Sequence, residues 1–185
     1  MKKIMLIPMT ISMLIACNPN QQQAKEEKPA DSSAAVQKMA VTYPFSHKYS
    51  INWQPGDDKI TLMVLETFKK YVDGDVAGAM ENFGDTIELN FDYYHYRGPR
   101  DSVKAMFTAE RANMATDIVE HDTWLGAYYP DYKATWVTMW YKEKWTDKKG
   151  KMDSAYHADD IMVKDGKILE IDGKMRHFPK PQKKM

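Results

Sequence analysis

The chain has 185 residues, and its 26 basic and 26 acidic side chains give a formal net charge of zero. With no basic excess to draw in phosphates, nucleic acid is not an expected partner. A single cysteine excludes an intramolecular disulfide, so stability must come from packing.

Lys2 and Lys3 precede a mostly apolar run, Ile4 to Ile15, interrupted only by Pro8, Thr10 and Ser12. About a dozen apolar residues are too few to cross roughly 30 Å of hydrocarbon as a helix, so the layout reads as an export signal. Leu14-Ile15-Ala16-Cys17 closes it and resembles the lipobox of bacterial lipoproteins. That resemblance implies cleavage after residue 16, a diacylglycerol on the Cys17 sulfur and acylation of the new amino group. Several acyl chains make a stable anchor. The alternative is an ordinary signal peptide with a chance cysteine, but the only cysteine in the chain stands where the lipid would go. The expected location is therefore the cell envelope, with the protein lipid-anchored and facing outside the cytoplasm. Asn18 is not the aspartate associated with inner-membrane retention, which favours the outer membrane if the cell is Gram-negative.

Residues 17–40 contain Gln21-Gln22-Gln23, Pro29 and Asp31-Ser32-Ser33 and no aromatic side chain. Such a composition cannot bury enough surface to offset ordering, so a flexible tether is expected. A single domain follows over residues 41–180, with a polar tail at 181–185. Asp57-Asp58 caps a helix in which Ile60, Leu62, Met63, Leu65, Phe68 and Tyr71-Val72 recur at helical spacing. Asp73-Gly74-Asp75 stops it, and a short second helix carries Val76, Ala77, Met80 and Phe83. Gly84-Asp85 should turn the chain into a strand from Thr86 to Phe91. A polar aromatic segment, Asp92 to Tyr96, leads through Arg97-Gly98-Pro99 into a third helix ending near Met114.

Strands are expected from there on: Ile118 to Tyr129, Thr135 to Trp145, Met152 to Val163, and Ile168 to Ile171 continuing past Asp172-Gly173 toward Phe178. Asp147-Lys148-Lys149-Gly150 and Lys164-Asp165-Gly166-Lys167 read as hairpin turns, since Asp-Gly supplies positive backbone angles. Helices segregated from an antiparallel sheet mean an α+β fold.

The helix, the Asp73-Gly74-Asp75 break, the short helix and the strand resemble the opening of SnoaL-like proteins of the nuclear transport factor 2 superfamily. The Gly98 turn into a helix, the aromatic strand around Trp136-Val137-Thr138-Met139-Trp140 and the closing Asp165-Gly166-Lys167-Ile168 fit the same pattern. The resemblance spans about residues 57–178. It implies a cone-shaped curved antiparallel sheet wrapped on about three helices, an apolar pocket at the open end, and a homodimer through the outer sheet face. One departure is the segment Asp92 to Tyr96, unusually polar and aromatic for its place.

Relatives on this fold include isomerases, cyclases, dehydratases and proteins without chemistry, so function must be argued from the site. In the isomerase and cyclase branches an aspartate or histidine moves a proton beside a polarised carbonyl. The candidates here are Asp122, His121, His157, Asp159 and the cluster Asp92, Tyr93, Tyr94, His95. On its strand His157 shares a face with Ala155, Asp159, Ile161 and Val163, which points it toward the core as a base, a donor or a satisfied buried histidine. Asp122 shares a face with Trp124 and Glu120 and is either an inward base or a solvent-facing carboxylate. Trp124, Trp136, Trp140, Tyr93 and His95 are candidate contacts for a flat apolar or aromatic ligand. The scattered histidines and the absence of a cysteine pair argue against a metal, and no phosphate loop or nucleophile elbow points to a cofactor. The expected function is a lipid-anchored module binding a small apolar or aromatic molecule without turnover; the alternative is a cofactor-independent isomerase, cyclase or dehydratase using His157 or Asp122 as general base.

Overall fold

The computed structural model describes residues 42–47, 49–92 and 94–178. The chain divides into two units, Met1–Pro44 and Phe45–Met185, and the second carries all the regular structure described below. The signal, Cys17, the tether and the final tail lie outside the described residues, as does Tyr93.

A two-residue strand β1 (Gln54–Pro55) precedes helix α1 (Asp58–Val72). Asp57 caps α1, accepting from the Lys59 N–H at 2.8 Å, while Lys69 and Lys70 stand in its last turn beside the negative end of the helix dipole. Gly74, at φ 89°, closes the helix in the left-handed region, and the Asp75 N–H returns to the Lys70 carbonyl at 2.8 Å. Asp75 then caps α2 (Val76–Met80) by accepting from the Gly78 N–H at 2.8 Å. The remaining elements are β2 (Phe83–Phe91), β3 (Tyr94–Pro99), α3 (Arg100–Asn113), β4 (Met114–Tyr129), β5 (Ala134–Asp147), β6 (Met152–Lys164) and β7 (Lys167–His177).

Seven strands form one curved sheet in the order β1-β4-β5-β6-β7-β2-β3. All pairs are antiparallel except β2 with β7, so the sheet is mixed. Gly84-Asp85 is not a turn: β2 begins at Phe83, whose pairing with Ile168 draws the chain alongside β7. The polar aromatic segment becomes β3, folded back on β2 through Asp92 at φ 37°. Asp165 and Gly166, at φ 51° and 72°, make the tight turn between β6 and β7 that their sequence calls for.

The core lies between the helices and one face of the sheet. Val64 of α1, Val76 and Met80 from α2, and Val103 of α3 pack on Ile87, Leu89, Val137, Met139, Val163 and Ile168. Two irregularities in the sheet position the site. A bulge between His121 and Thr123 shifts β4 by one residue, so His121 and Trp124 both fall on the inner face, opposite Tyr141 and Met139. Gly173, within β7, faces Phe91 and Asp159; an added Cβ would come within 2.6 Å of the Phe91 ring and 3.1 Å of Asp159 Oδ1. Asp172-Gly173 is thus a close-packed point in a continuous strand.

Candidate functional site

A cavity of about 580 Å³ opens between the inner face of the sheet and the helices. Phe68, Phe83, Phe107, Met139, Ile161 and Ile168 supply much of its apolar wall. Five of its polar groups gather on three adjacent strands: Asp117 of β4, Tyr141 and Glu143 of β5, His157 and Asp159 of β6. Register explains the grouping, because directly opposite residues share a face. Tyr141 pairs with His157, Met139 with Asp159, and Glu143 with Val119, two residues from Asp117.

Arg111, in the last turn of α3, holds this wall from behind. Its Nη1 lies 2.5 Å from Asp117 Oδ2, and its Nη2 donates to the Val72 carbonyl at 2.6 Å, which joins the ends of α1 and α3 to β4. The Asp117 side chain is only 1% exposed. His157 Nε2 sits 2.9 Å from Glu143 Oε2 but without an aligned hydrogen bond, so the contact is an electrostatic one. The Tyr141 ring stacks on His157 with centroids 4.7 Å apart and planes 4° from parallel, while its hydroxyl donates to Asp159 Oδ2 at 2.6 Å. Nearer solvent, the Tyr71 hydroxyl donates to Glu110 Oε2 at 2.9 Å.

Burial sets the titration of this wall. Asp159 is pushed up to about 6 by desolvation, against the opposing Tyr141 hydrogen bond and His157 charge. Asp117 is likewise pushed up to about 6, by burial first and then by the neighbouring Glu143 carboxylate, with Arg111 pulling the other way. For His157 burial lowers the pKa, but Glu143, Asp159 and Asp117 outweigh it and the net shift is upward. Desolvation raises both Tyr71 and Tyr141, which keeps their hydroxyls protonated as donors. Around neutral pH the wall therefore offers groups able to take up or release a proton beside fixed hydroxyl donors.

No protein-family model and no curated protein matches the chain. Solved structures do. An NTF2-like family protein from Streptomyces avermitilis superposes with a TM-score of 0.56 at 10% identity, covering 65% of this chain and 97% of its own. AusH from Aspergillus nidulans gives 0.54 at 10% identity, covering 69% and 90%. An LEH-like epoxide hydrolase from M. tuberculosis gives 0.51 at 11% identity, covering 64% and 84%. The fold is the nuclear transport factor 2-like α+β cone.

Within the cone the residues singled out by sequence scatter. His157 stands in the cavity wall, and Asp92 and Tyr94 also line the cavity. Asp122 does not: it is the extra residue of the β4 bulge, exposed, with a carboxylate oxygen 3.7 Å from Lys142 Nζ. The bulge also separates it from Trp124, which simple alternation had placed on its face. Trp124 is half exposed, edge-on to His121 at 5.8 Å, and is not part of the cavity wall. Trp136 and Trp140 lie on the opposite, outer face of β5, where Trp140 stays 37% exposed. His95 bonds through its ring to Asn90 Oδ1 at 2.6 Å, away from the cavity. Among the described residues, no group of three or more His, Cys, Asp or Glu side chains has a metal-holding arrangement.

Asp117, Tyr141 and Glu143 were not selected from sequence. Alternation through Tyr141, Glu143 and Trp145 could have marked the last two. Asp117 had no comparable signal, because it precedes the expected start of its strand.

Proposed function

We propose that this protein is a lipid-anchored envelope protein whose cone binds a small, largely apolar molecule and moves a proton within it. The observation that carries this is the set Asp117, Glu143 and His157 meeting in one wall of an otherwise apolar cavity. Glu143, 15% exposed at its side chain, is the proton acceptor that a ligand can reach. Asp117 and His157 flank it, both with raised pKa values, while the Tyr141 and Tyr71 hydroxyls are committed as donors to Asp159 and Glu110. The same fold supports catalysis in the M. tuberculosis epoxide hydrolase.

The test is the Kemp elimination of 5-nitrobenzisoxazole, a flat aromatic probe. A base removes its ring C–H proton, those electrons form the nitrile, and the N–O bond breaks to give a coloured phenolate. The expected result is a rate above buffer background that is lost in Glu143→Gln while the melting temperature is retained. Binding of the probe with no rate above background would overturn catalysis and leave a binding module.

Two further parts of the proposal rest on other observations. Leu14-Ile15-Ala16-Cys17 supports lipid on Cys17, with the domain held at the membrane, the outer one in a Gram-negative cell. Leu125, 50% exposed, lies diagonal to Trp136 and Trp140 on the outer sheet face, which supports a homodimer through that face.

A further inference from the structure

We infer that the molecule held in the cone is an apolar organic cation, a protonated amine on a flat or aromatic body. This rests on the cavity being a binding site and goes on to name the class of ligand. Five carboxyl groups line the cavity: Asp92, Glu110, Asp117, Glu143 and Asp159. Among the described residues lining it there is no lysine or arginine, and His157 is the one basic side chain.

Internal pairing offsets only part of that charge. Arg111 meets Asp117 from behind and His157 meets Glu143, which leaves Asp159 with a neutral tyrosine donor, and Glu110 with another. Asp92 and Glu110 hold exposed positions among the lining residues. An independent sign of an absent donor lies deeper. The Asp117 side chain is 1% exposed, yet its Oδ1 has no hydrogen-bond partner. The neighbouring Glu143 carboxylate, which helps raise Asp117, has no proton to give when ionised, so two such groups can share a bond only if a proton or an incoming N–H lies between them.

The aromatic wall suits the same ligand. Phe68, Tyr71, Phe107, Tyr141 and Trp145 line the cavity with aromatic rings, a residue type that attracts positive charge, as the Arg111 guanidinium 5.4 Å over the Tyr71 ring already shows. An anionic molecule would meet the carboxylates without a counter-charge. A neutral one would use the apolar surface alone.

Three probes with one ring system separate these cases: tryptamine as the cation, 3-methylindole as the neutral form and indole-3-propionate as the anion. Binding to the full chain in mild detergent is followed by calorimetry near pH 7.5. The expected result is tryptamine binding at least about tenfold tighter than 3-methylindole, with indole-3-propionate weakest and the preference shrinking in added salt. Asp92→Asn and Glu143→Gln should each narrow the preference while keeping 3-methylindole affinity, which shows that both variants are folded. Equal binding of tryptamine and 3-methylindole, or a preference for the anion, overturns the cation while leaving the cavity and its Kemp activity standing. Failure of all three probes to bind at millimolar concentration overturns both.

Discussion

The two halves of β5 have the same alternation and different interiors. From Ala134 to Met139 the inner residues Val137 and Met139 are fully buried in the core, with Met139 at the inner edge of the cavity. From Tyr141 onward the inner residues are Tyr141, Glu143 and Trp145, which face the cavity. Coverage explains the difference. The start of α1 lies over the first half, with Thr61 packed on Gly126 opposite Val137, and Phe68 reaches Tyr141 at a centroid distance of 5.0 Å. Beyond that α1 ends, and its final carbonyl, that of Val72, is met by Arg111. Where helix cover gives out, the sheet keeps its inward face but exchanges aliphatic residues for groups that titrate.

The largest expected effect comes from removing the support of the open half. Arg111→Ala leaves Asp117 buried without its cation and should cost about 3–5 kcal/mol in denaturant unfolding. A cost of a few tenths, typical of a surface site, would mean the open half does not depend on this pair.

The pH dependence of stability sharpens the contrast. Asp117 and Asp159 have folded pKa values near 6, above the ordinary value of 3.8, so the folded state binds the extra protons and ionisation costs stability as pH rises from about 4 to above 6. His157 is raised too; its contribution is present below the unfolded value of 6.5 and is lost as pH rises through the folded one. All three signs agree, so the melting temperature should fall between pH 5 and pH 8. Asp159→Asn should flatten that fall and stabilise the protein at pH 8 by at most about 3 kcal/mol, because the amide oxygen still accepts from Tyr141 without carrying a buried charge. An unchanged pH profile in this variant would remove Asp159 as a source of the effect.

The smallest expected effect on folding lies on the outer face of the same strand. Trp140→Glu should change protomer stability by less than about 0.5 kcal/mol, since the side chain is already 37% exposed. In light scattering the proposed homodimer should nevertheless shift to monomer; a parent protein that is already monomeric, or an unchanged mass in the variant, would overturn an interface on this face.

Much of the architecture was legible because its signals are local. Asp57, Asp73-Gly74-Asp75 and Asp165-Gly166 act through caps and backbone angles within a few residues, and each stands where it was read. The strand β3 was not legible, because Tyr94 to Pro99 has weak strand character and owes its extended form to pairing with β2. The site was half legible. His157 follows from alternation beside Ile161 and Val163, whereas Asp122 was left between an inward and a solvent-facing position, and the bulge that turns it outward and parts it from Trp124 leaves no mark in the residue pattern.

The sequence by itself determined the helices, the Asp73-Gly74-Asp75 and Asp165-Gly166 turns, the α+β class and the alternation of β5 and β6, since these depend on nearest neighbours and period. Only the tertiary structure decided that β2 runs parallel to β7, that β4 slips one residue at Asp122, and that Asp117, Glu143 and His157 share a wall. The raised pKa values belong to that second group. They come from desolvation and from charges on neighbouring strands, which exist only once the sheet has closed around the helices.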